Sequence, residues 1–250
     1  MSDVAVIILA AGQGTRMMSD KAKVLHELLG RPMIHYVVEA ARTVTDDILV
    51  VVGHQREAVK AVLAPYREVR FVVQEEQLGT GHAVMAALPE LRGETKDVVI
   101  LCGDTPLIRP ETLGSLLQKH QAAQRQSVTL LVTSLDEPYG YGRVVTDSHG
   151  RPMRIIEESD AGPSERLITT VNTGTYCVRV GFLRRFLPAL DSENAQGEFY
   201  LTDVIAQAYG ENLPVDLVEA AASLEVLGVN SRQDLATAER LLKAEQGKTL

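Results

Sequence analysis

The sequence predicts an open, doubly wound and mostly parallel α/β sheet that carries a smaller, irregular lobe. Two patterns point to it. Short, continuous runs rich in β-branched residues alternate with segments of 3.6-residue apolar period from Val4 to Thr133. From Tyr139 onward the strand-like segments are shorter and less regular.

Val4 to Ala10 is wholly apolar, as suits a strand buried on both faces. A Gly-rich loop follows, then a helix from about Pro32, with Met33, Ile34, Val37, Val38 and Ala41 on one face. Asp47 to Gly53 reads as a strand, Gln55 to Leu63 as a helix, Val69 to Gln74 as a strand and Thr80 to Leu88 as a helix. Val98 to Cys102 is a further strand, Pro110 to Gln124 a helix, and Ser127 to Thr133 a strand. Beyond Tyr139, strands are expected over 142–146, 153–157 and 171–180, then a helix over 198–209 and a short strand over 226–230. Ser231 with Asp234 resembles a capping box opening a last helix. The expected division is 1–230 for the sheet domain, with the lobe at about 139–205, and 231–250 for the terminal helix.

In such Rossmann-like sheets, ligands bind at the carboxyl ends of the strands. The Gly12 loop, Gln74 and Asp104 all fall at predicted strand ends. The 250 residues carry a net charge of -8, no Trp and 4% aromatic residues. That balance speaks against nucleic acid as a partner, and an anionic ligand needs local neutralisation. Cys102 and Cys177 lie in apolar strands and read as buried free thiols of a reducing compartment. The N-terminal apolar run is too short to span a membrane and has no basic flank, so a cytoplasmic protein without a membrane partner is expected.

Gly12 and Gly14 let backbone N–H groups turn inward around an anion. Arg16 and Lys23 can add charge-assisted hydrogen bonds to phosphate oxygens. A Walker loop is excluded, because Gly-Lys-Ser/Thr is missing. The dinucleotide fingerprint is excluded as well, because Met17 stands at its third small residue and Gly53-His54 where an acid is needed. His82 lies at a helix start, where packing and ligand contact are open alternatives.

The segment LAAGQGTRM at 9–17, followed by Lys23, resembles the signature of the sugar nucleotidyltransferases, the nucleotide-sugar pyrophosphorylases. AKVL at 22–25, QEEQLGTGHA at 74–83, GDTPL at 103–107, YGYGR at 139–143, VNTG at 171–174, NAQGEFYLTD at 194–203 and GVNSR at 228–232 continue the match in the family's order. QLGTGHA and NAQGEFYLTD are similar to its N-acetylglucosamine-1-phosphate uridylyltransferase branch. The resemblance implies a nucleotide-diphospho-sugar transferase fold and transfer of UMP from UTP to a sugar 1-phosphate, N-acetylglucosamine 1-phosphate. It also implies that Arg16 and Lys23 are catalytic cations. Leu9, Ala10, Ala11, Gly12 and Gly14 then lie against the nucleotide, and Gln74, Gly79, Thr80 and Gly81 read its base. Asp104 and Asn230 hold Mg2+, and Gly142, Glu157, Asn172, Tyr200 and Thr202 meet the sugar.

Two departures bear on the sugar phosphate. Cys102 stands where the family has Tyr before Gly-Asp. Ser159 stands where a Lys often precedes Asp-Ala, with an extra acid at Glu158. Another base or sugar 1-phosphate, or a non-catalytic nucleotide-sugar-binding protein, are the alternative readings. Bifunctional relatives continue into a left-handed β-helix of hexapeptide repeats. No such pattern occurs in these residues, so acetyl transfer is not expected, and the oligomeric state is open.

Overall fold

The computed structural model describes residues 3–12, 14, 17–122 and 128–246. The first part follows the expected alternation. It runs β1 (Val4–Ala10), a small hairpin of β2 (Glu27–Leu28) and β3 (Arg31–Pro32), α1 (Met33–Arg42), β4 (Ile48–Val52), α2 (Arg56–Leu63), β5 (Val69–Val73), α3 (Thr80–Ala87), β6 (Asp97–Cys102), α4 (Pro110–Ala122) and β7 (Val128–Ser134). The expected end of α4 at Gln124 and start of β7 at Ser127 lie outside the described residues. The second part runs β8 (Arg143–Thr146), β9 (Pro152–Ile156), β10 (Thr170–Arg179), α5 (Val180–Phe186), α6 (Val204–Gly210), β11 (Val215–Glu219) and α7 (Arg232–Gln246).

Among the described residues, nine strands form one sheet, with the spine β11-β7-β10-β6-β1-β4-β5. β1 pairs in parallel with β4 and β6, β4 with β5, and β11 with β7. Only β10 runs antiparallel along this spine, wedged between β6 and β7. The chain leaves β1 towards β4 and β5, then returns to the other side of β1 as β6. Strand order therefore reverses between β1 and β6, and a crevice opens at their carboxyl ends. β8 and β9 hang from β10 as an antiparallel flap.

The wholly apolar strands are explained by the two cores. In β1, Ala5 and Ile7 face one core, while Val4, Val6, Ile8 and Ala10 face the other. Val84 of α3, Leu183 of α5 and Ile205 of α6 cover the first face; Val37 of α1, Val59 of α2 and Leu116 of α4 cover the second. Among the described residues, no helix is long and apolar enough to cross a membrane.

Three expectations need correction. Residues 226–230 form no strand; a 3-10 turn at Ser223–Val226 leads into an irregular approach to α7. The helix expected over 198–209 begins only at Val204, after a 3-10 turn at Leu201–Asp203. The preceding residues are held extended, because Phe199 N–H donates to Leu78 O (2.8 Å) and Phe199 O accepts from Gly81 N–H (2.8 Å). α5 and β11 were not anticipated. β11 is an edge strand of mixed polarity, VDLVE, whose pairing with β7 a local pattern does not reveal.

The capping box at α7 is present. Asp234 N–H donates to Ser231 Oγ (3.2 Å), and Asp234 Oδ2 accepts from Ser231 N–H (2.8 Å) and Asn230 N–H (2.9 Å). Asp234→Ala is expected to lower stability by about 1 kcal/mol, the usual worth of a helix N-terminal cap. Urea denaturation measures it, and an unchanged midpoint refutes the capping role.

Candidate active site

At the mouth of the β1/β6 crevice, Lys23 joins three loops. Its Nζ donates to Asn230 Oδ1 (2.6 Å) and forms an ion pair with Asp104. Local structure prepares each partner. Gly14 has φ +67°, and a Cβ there would lie 2.5 Å from Lys23 Cβ, so only glycine lets the loop fold over this side chain. Ala22 N–H donates to Gln55 Oε1 (2.9 Å), and the next residues form a 3-10 turn that buries Val24 and Leu25. Asp104 follows β6, and its carbonyl accepts from Val229 N–H (2.8 Å). Asn230 Nδ2 donates to Gly228 O (3.1 Å), which leaves Oδ1 aimed at the ammonium.

The crevice has two halves. One, of about 330 Å3, is lined by Leu9, Ala10, Ala11, Gly12, Gly14, Gln74, Gly79 and Thr80. The other, of about 310 Å3, is lined by Gly142, Glu157, Asn172 and Thr202. Lys23, Cys102, Asp104 and Asn230 line both, so the Lys23–Asp104 ion pair and Asn230 stand at the junction. Most residues expected at a site are thus brought to one crevice. Gly81 faces Leu190 and Phe199 instead, and Tyr200 is buried, its hydroxyl donating to Asp160 Oδ2 (3.2 Å). Arg16 lies outside the described residues.

In the first half, the 78–81 turn is clamped to the 198–201 segment. A Cβ on Gly79, at φ +108°, would lie 2.7 Å from Phe199 O. The small residues of this turn therefore serve chain-to-chain approach as well as access to a ligand. Thr80 Oγ1 accepts from Leu201 N–H (3.0 Å). Gln74 is buried rather than solvent-facing, with 3% of its surface exposed.

In the second half, Thr202 Oγ1 donates to Glu157 Oε1 (3.1 Å), and Gly142 O accepts from Asn172 N–H (2.9 Å). Burial raises the Glu157 carboxyl above its ordinary range; Asp203, Asp160 and Glu198 add to this, against the Thr202 hydrogen bond. Glu158 adds no open charge to the crevice. It pairs with buried Arg143 (2.7 Å) and Arg166 (3.5 Å), and accepts from Gly140 N–H (3.1 Å). Ser159 turns to Asp160 Oδ2 (3.0 Å). Cys102 packs on Gly174, where a Cβ would lie 2.6 Å from Sγ; burial pushes its thiol up to about 12, so it is a neutral wall. Thr105, Tyr141, Thr173, Gly228, Gln77 and Glu198 also line the crevice and escaped the sequence reading. Each lies within one of the quoted segments, Thr173 in β10 and the others on loops, and nothing local marks it out from its neighbours there.

Asp104 and Asn230 offer two hard oxygen ligands from different loops, and a cation, the Lys23 ammonium, already lies between them. That donor set fits Mg2+, which takes few protein ligands and completes its shell with water and phosphate. Among the described residues, no group of three or more His, Cys, Asp or Glu could hold a metal.

Glu157 binds its proton more tightly in the fold than when unfolded, so its contribution to stability falls as pH rises from the ordinary carboxylate range through its raised value. Glu157→Gln keeps the acceptor for Thr202 without the buried charge. The variant is expected to melt above the wild type at pH 8, with the gap closing towards pH 4. A pH-independent gap in melting temperature contradicts this.

Comparison with known proteins agrees with this architecture. The family model described as the MobA-like NTP transferase domain matches residues 6–199. The bifunctional protein GlmU of Geobacter metallireducens is 47% identical over 100% of this chain and 52% of its own length. That of Desulfotalea psychrophila is 46% identical over 98% of this chain and 72% of its own. The chain thus spans about half the length of the first of these relatives. Among solved structures, a CMP:2-keto-3-deoxy-manno-octonic acid synthetase complexed with CTP superposes with a TM-score of 0.74 at 19% identity, covering 98% of this chain and 100% of that one. At that identity the likeness concerns the fold.

Proposed function

The chain belongs to the family of MobA-like NTP transferase domains, and from that premise we propose that it transfers UMP from UTP to N-acetylglucosamine 1-phosphate, giving UDP-N-acetylglucosamine and pyrophosphate. One observation carries the reading: two ligand-sized halves of a single crevice meet at Lys23, Asp104 and Asn230. A nucleotide in one half and a sugar phosphate in the other bring their phosphates together at that junction. The nearly half-identical GlmU relatives and the segments QLGTGHA and NAQGEFYLTD support uracil and N-acetylglucosamine as the two occupants.

The reaction is an in-line displacement. A phosphate oxygen of the sugar 1-phosphate attacks the α-phosphorus of UTP, a new P–O bond forms, and the bond to the β-phosphate breaks. The nucleophile is already ionised, so no general base is needed. Lys23 neutralises charge on the reacting phosphates and aligns them. Arg16 is the second cation by resemblance. Asp104 and Asn230 would hold Mg2+, which would supply further charge neutralisation at the reacting phosphates. Glu157, Asn172, Thr202 and the backbone at Gly142 receive sugar hydroxyl and acetamido groups, and Tyr200 supports that wall through Asp160. Local cations are needed because the protein as a whole carries -8. The free thiols Cys102 and Cys177 suit a cytoplasmic setting.

A pyrophosphate-release screen tests this. It crosses UTP, CTP, dTTP and ATP with several sugar 1-phosphates, with and without Mg2+. Release is expected with UTP and N-acetylglucosamine 1-phosphate, and only with the metal. Preference for glucose 1-phosphate moves the sugar assignment alone; release with no pair leaves a nucleotide-sugar-binding protein. Lys23→Ala is expected to cut turnover by roughly a hundredfold, the effect of removing one donor to a developing anion. Asp104→Asn is expected to raise the Mg2+ concentration for half-maximal rate, and an unaltered metal titration removes Asp104 from the metal site.

A further inference from the structure

We propose that His82 is a positioning residue that turns Gln74 into an acceptor-only reader of the base, and so sets uracil above cytosine. The inference rests on the reading that the base occupies the half of the crevice lined by Gln74.

The Gln74 carboxamide is pinned on its nitrogen side. Nε2 lies 3.0 Å from Gly79 O and 3.0 Å from His82 Nδ1. A carbonyl oxygen only accepts, so the amide nitrogen, not its oxygen, must face Gly79. The second amide hydrogen then goes to His82, whose Nδ1 must be the unprotonated ring nitrogen, with the ring proton on Nε2. Both donors of Gln74 are thereby consumed inside the protein. Its backbone N–H is held as well, by Val52 O (2.8 Å), so the strand end does not shift to relieve the side chain. Gln77 does not compete for the carboxamide, because its Nε2 donates to Gln74 backbone O (3.1 Å). The His82 ring stands 6.4 Å from the Phe199 ring, next to the segment that clamps the turn. Oε1 is the one polar atom of the Gln74 side chain left for the crevice among the described residues.

An acceptor in that position discriminates. Uracil carries a hydrogen on N3 and can donate it to Oε1. Cytosine has a bare lone pair on N3, which meets the oxygen as a second acceptor. Gln74 alone could serve either base by rotating its amide, because it holds both a donor and an acceptor. Gly79 O and His82 Nδ1 together forbid that rotation. Without the His82 acceptor, one amide hydrogen loses its partner and the carboxamide is held by a single bond.

The test is the ratio of kcat/KM for UTP to that for CTP, measured with Mg2+ and the sugar 1-phosphate that the wild type prefers, with melting temperatures recorded alongside. His82→Ala and His82→Phe both remove the acceptor, and the second keeps a ring of similar size. In both, the ratio is expected to fall roughly tenfold, about the worth of one hydrogen bond, mainly through a higher KM for UTP. His82→Asn places an oxygen near the position of Nδ1 and is expected to recover the ratio. A ratio unchanged in the Ala and Phe variants, including equal losses with both nucleotides, overturns the proposal. So does a ratio that stays low in His82→Asn, since that assigns the effect to ring packing. A wild type that releases pyrophosphate with no nucleotide overturns the underlying reading, and this proposal with it. A wild type that prefers UTP alongside insensitive variants overturns this proposal alone.

Discussion

The ammonium of Lys23 between Asp104 and Asn230 is the contact on which the crevice depends. It ties together the loop after β1, the loop after β6 and the approach to α7, three pieces of chain that share no local sequence. The arrangement has an electrostatic logic. Two hard oxygens facing each other in a partly enclosed place form a position for a cation, and the Lys23 side chain reaches it. The same oxygens suit a divalent ion, and the same ammonium suits a phosphate. One trio therefore stands where nucleotide, metal and sugar phosphate are proposed to meet.

The remaining structure holds that trio and the two crevice halves in register. Strand order reverses between β1 and β6, which is why a crevice opens at their carboxyl ends. Gly14 lets the first loop fold over Lys23. The capping box at Ser231 and Asp234 fixes the backbone of Asn230 at the start of α7. The 198–201 segment braces the 78–81 turn through Phe199. Strand ends thus supply the floor, and hydrogen bonds between loops, through backbone and side chains, supply the walls.

The departures from the family pattern are absorbed locally. Glu158 reads in the sequence as an extra acid near a sugar phosphate, but Arg143 and Arg166 neutralise it. Cys102 stands in for a tyrosine, and its sulfur fills the space against Gly174 as an uncharged surface. Neither compensation could be read locally, because the partners lie on other elements. The misplaced elements have the same origin. Residues 198–203 look helical by composition, yet hydrogen bonds to Leu78, Thr80 and Gly81 keep the backbone out of the helix until Val204. Residues 226–230 are largely apolar like a strand, yet among the described residues they pair with no strand, and Val229 packs under α7.

By itself, the sequence determined the alternation of strands and helices up to β7, a glycine-bearing loop after β1 and the identity of the polar residues at the strand ends. These follow from local periodicity, turn chemistry and residue type, which act over a few neighbours. Only the tertiary structure decided that β10 enters the sheet antiparallel between β6 and β7, and that β11 closes its far edge. It also decided that Lys23, Asp104 and Asn230 share one point, and that Gln74 offers the crevice an oxygen and not a nitrogen. Those outcomes depend on contacts between distant segments, where burial and hydrogen-bond satisfaction select one arrangement among several that local preferences allow.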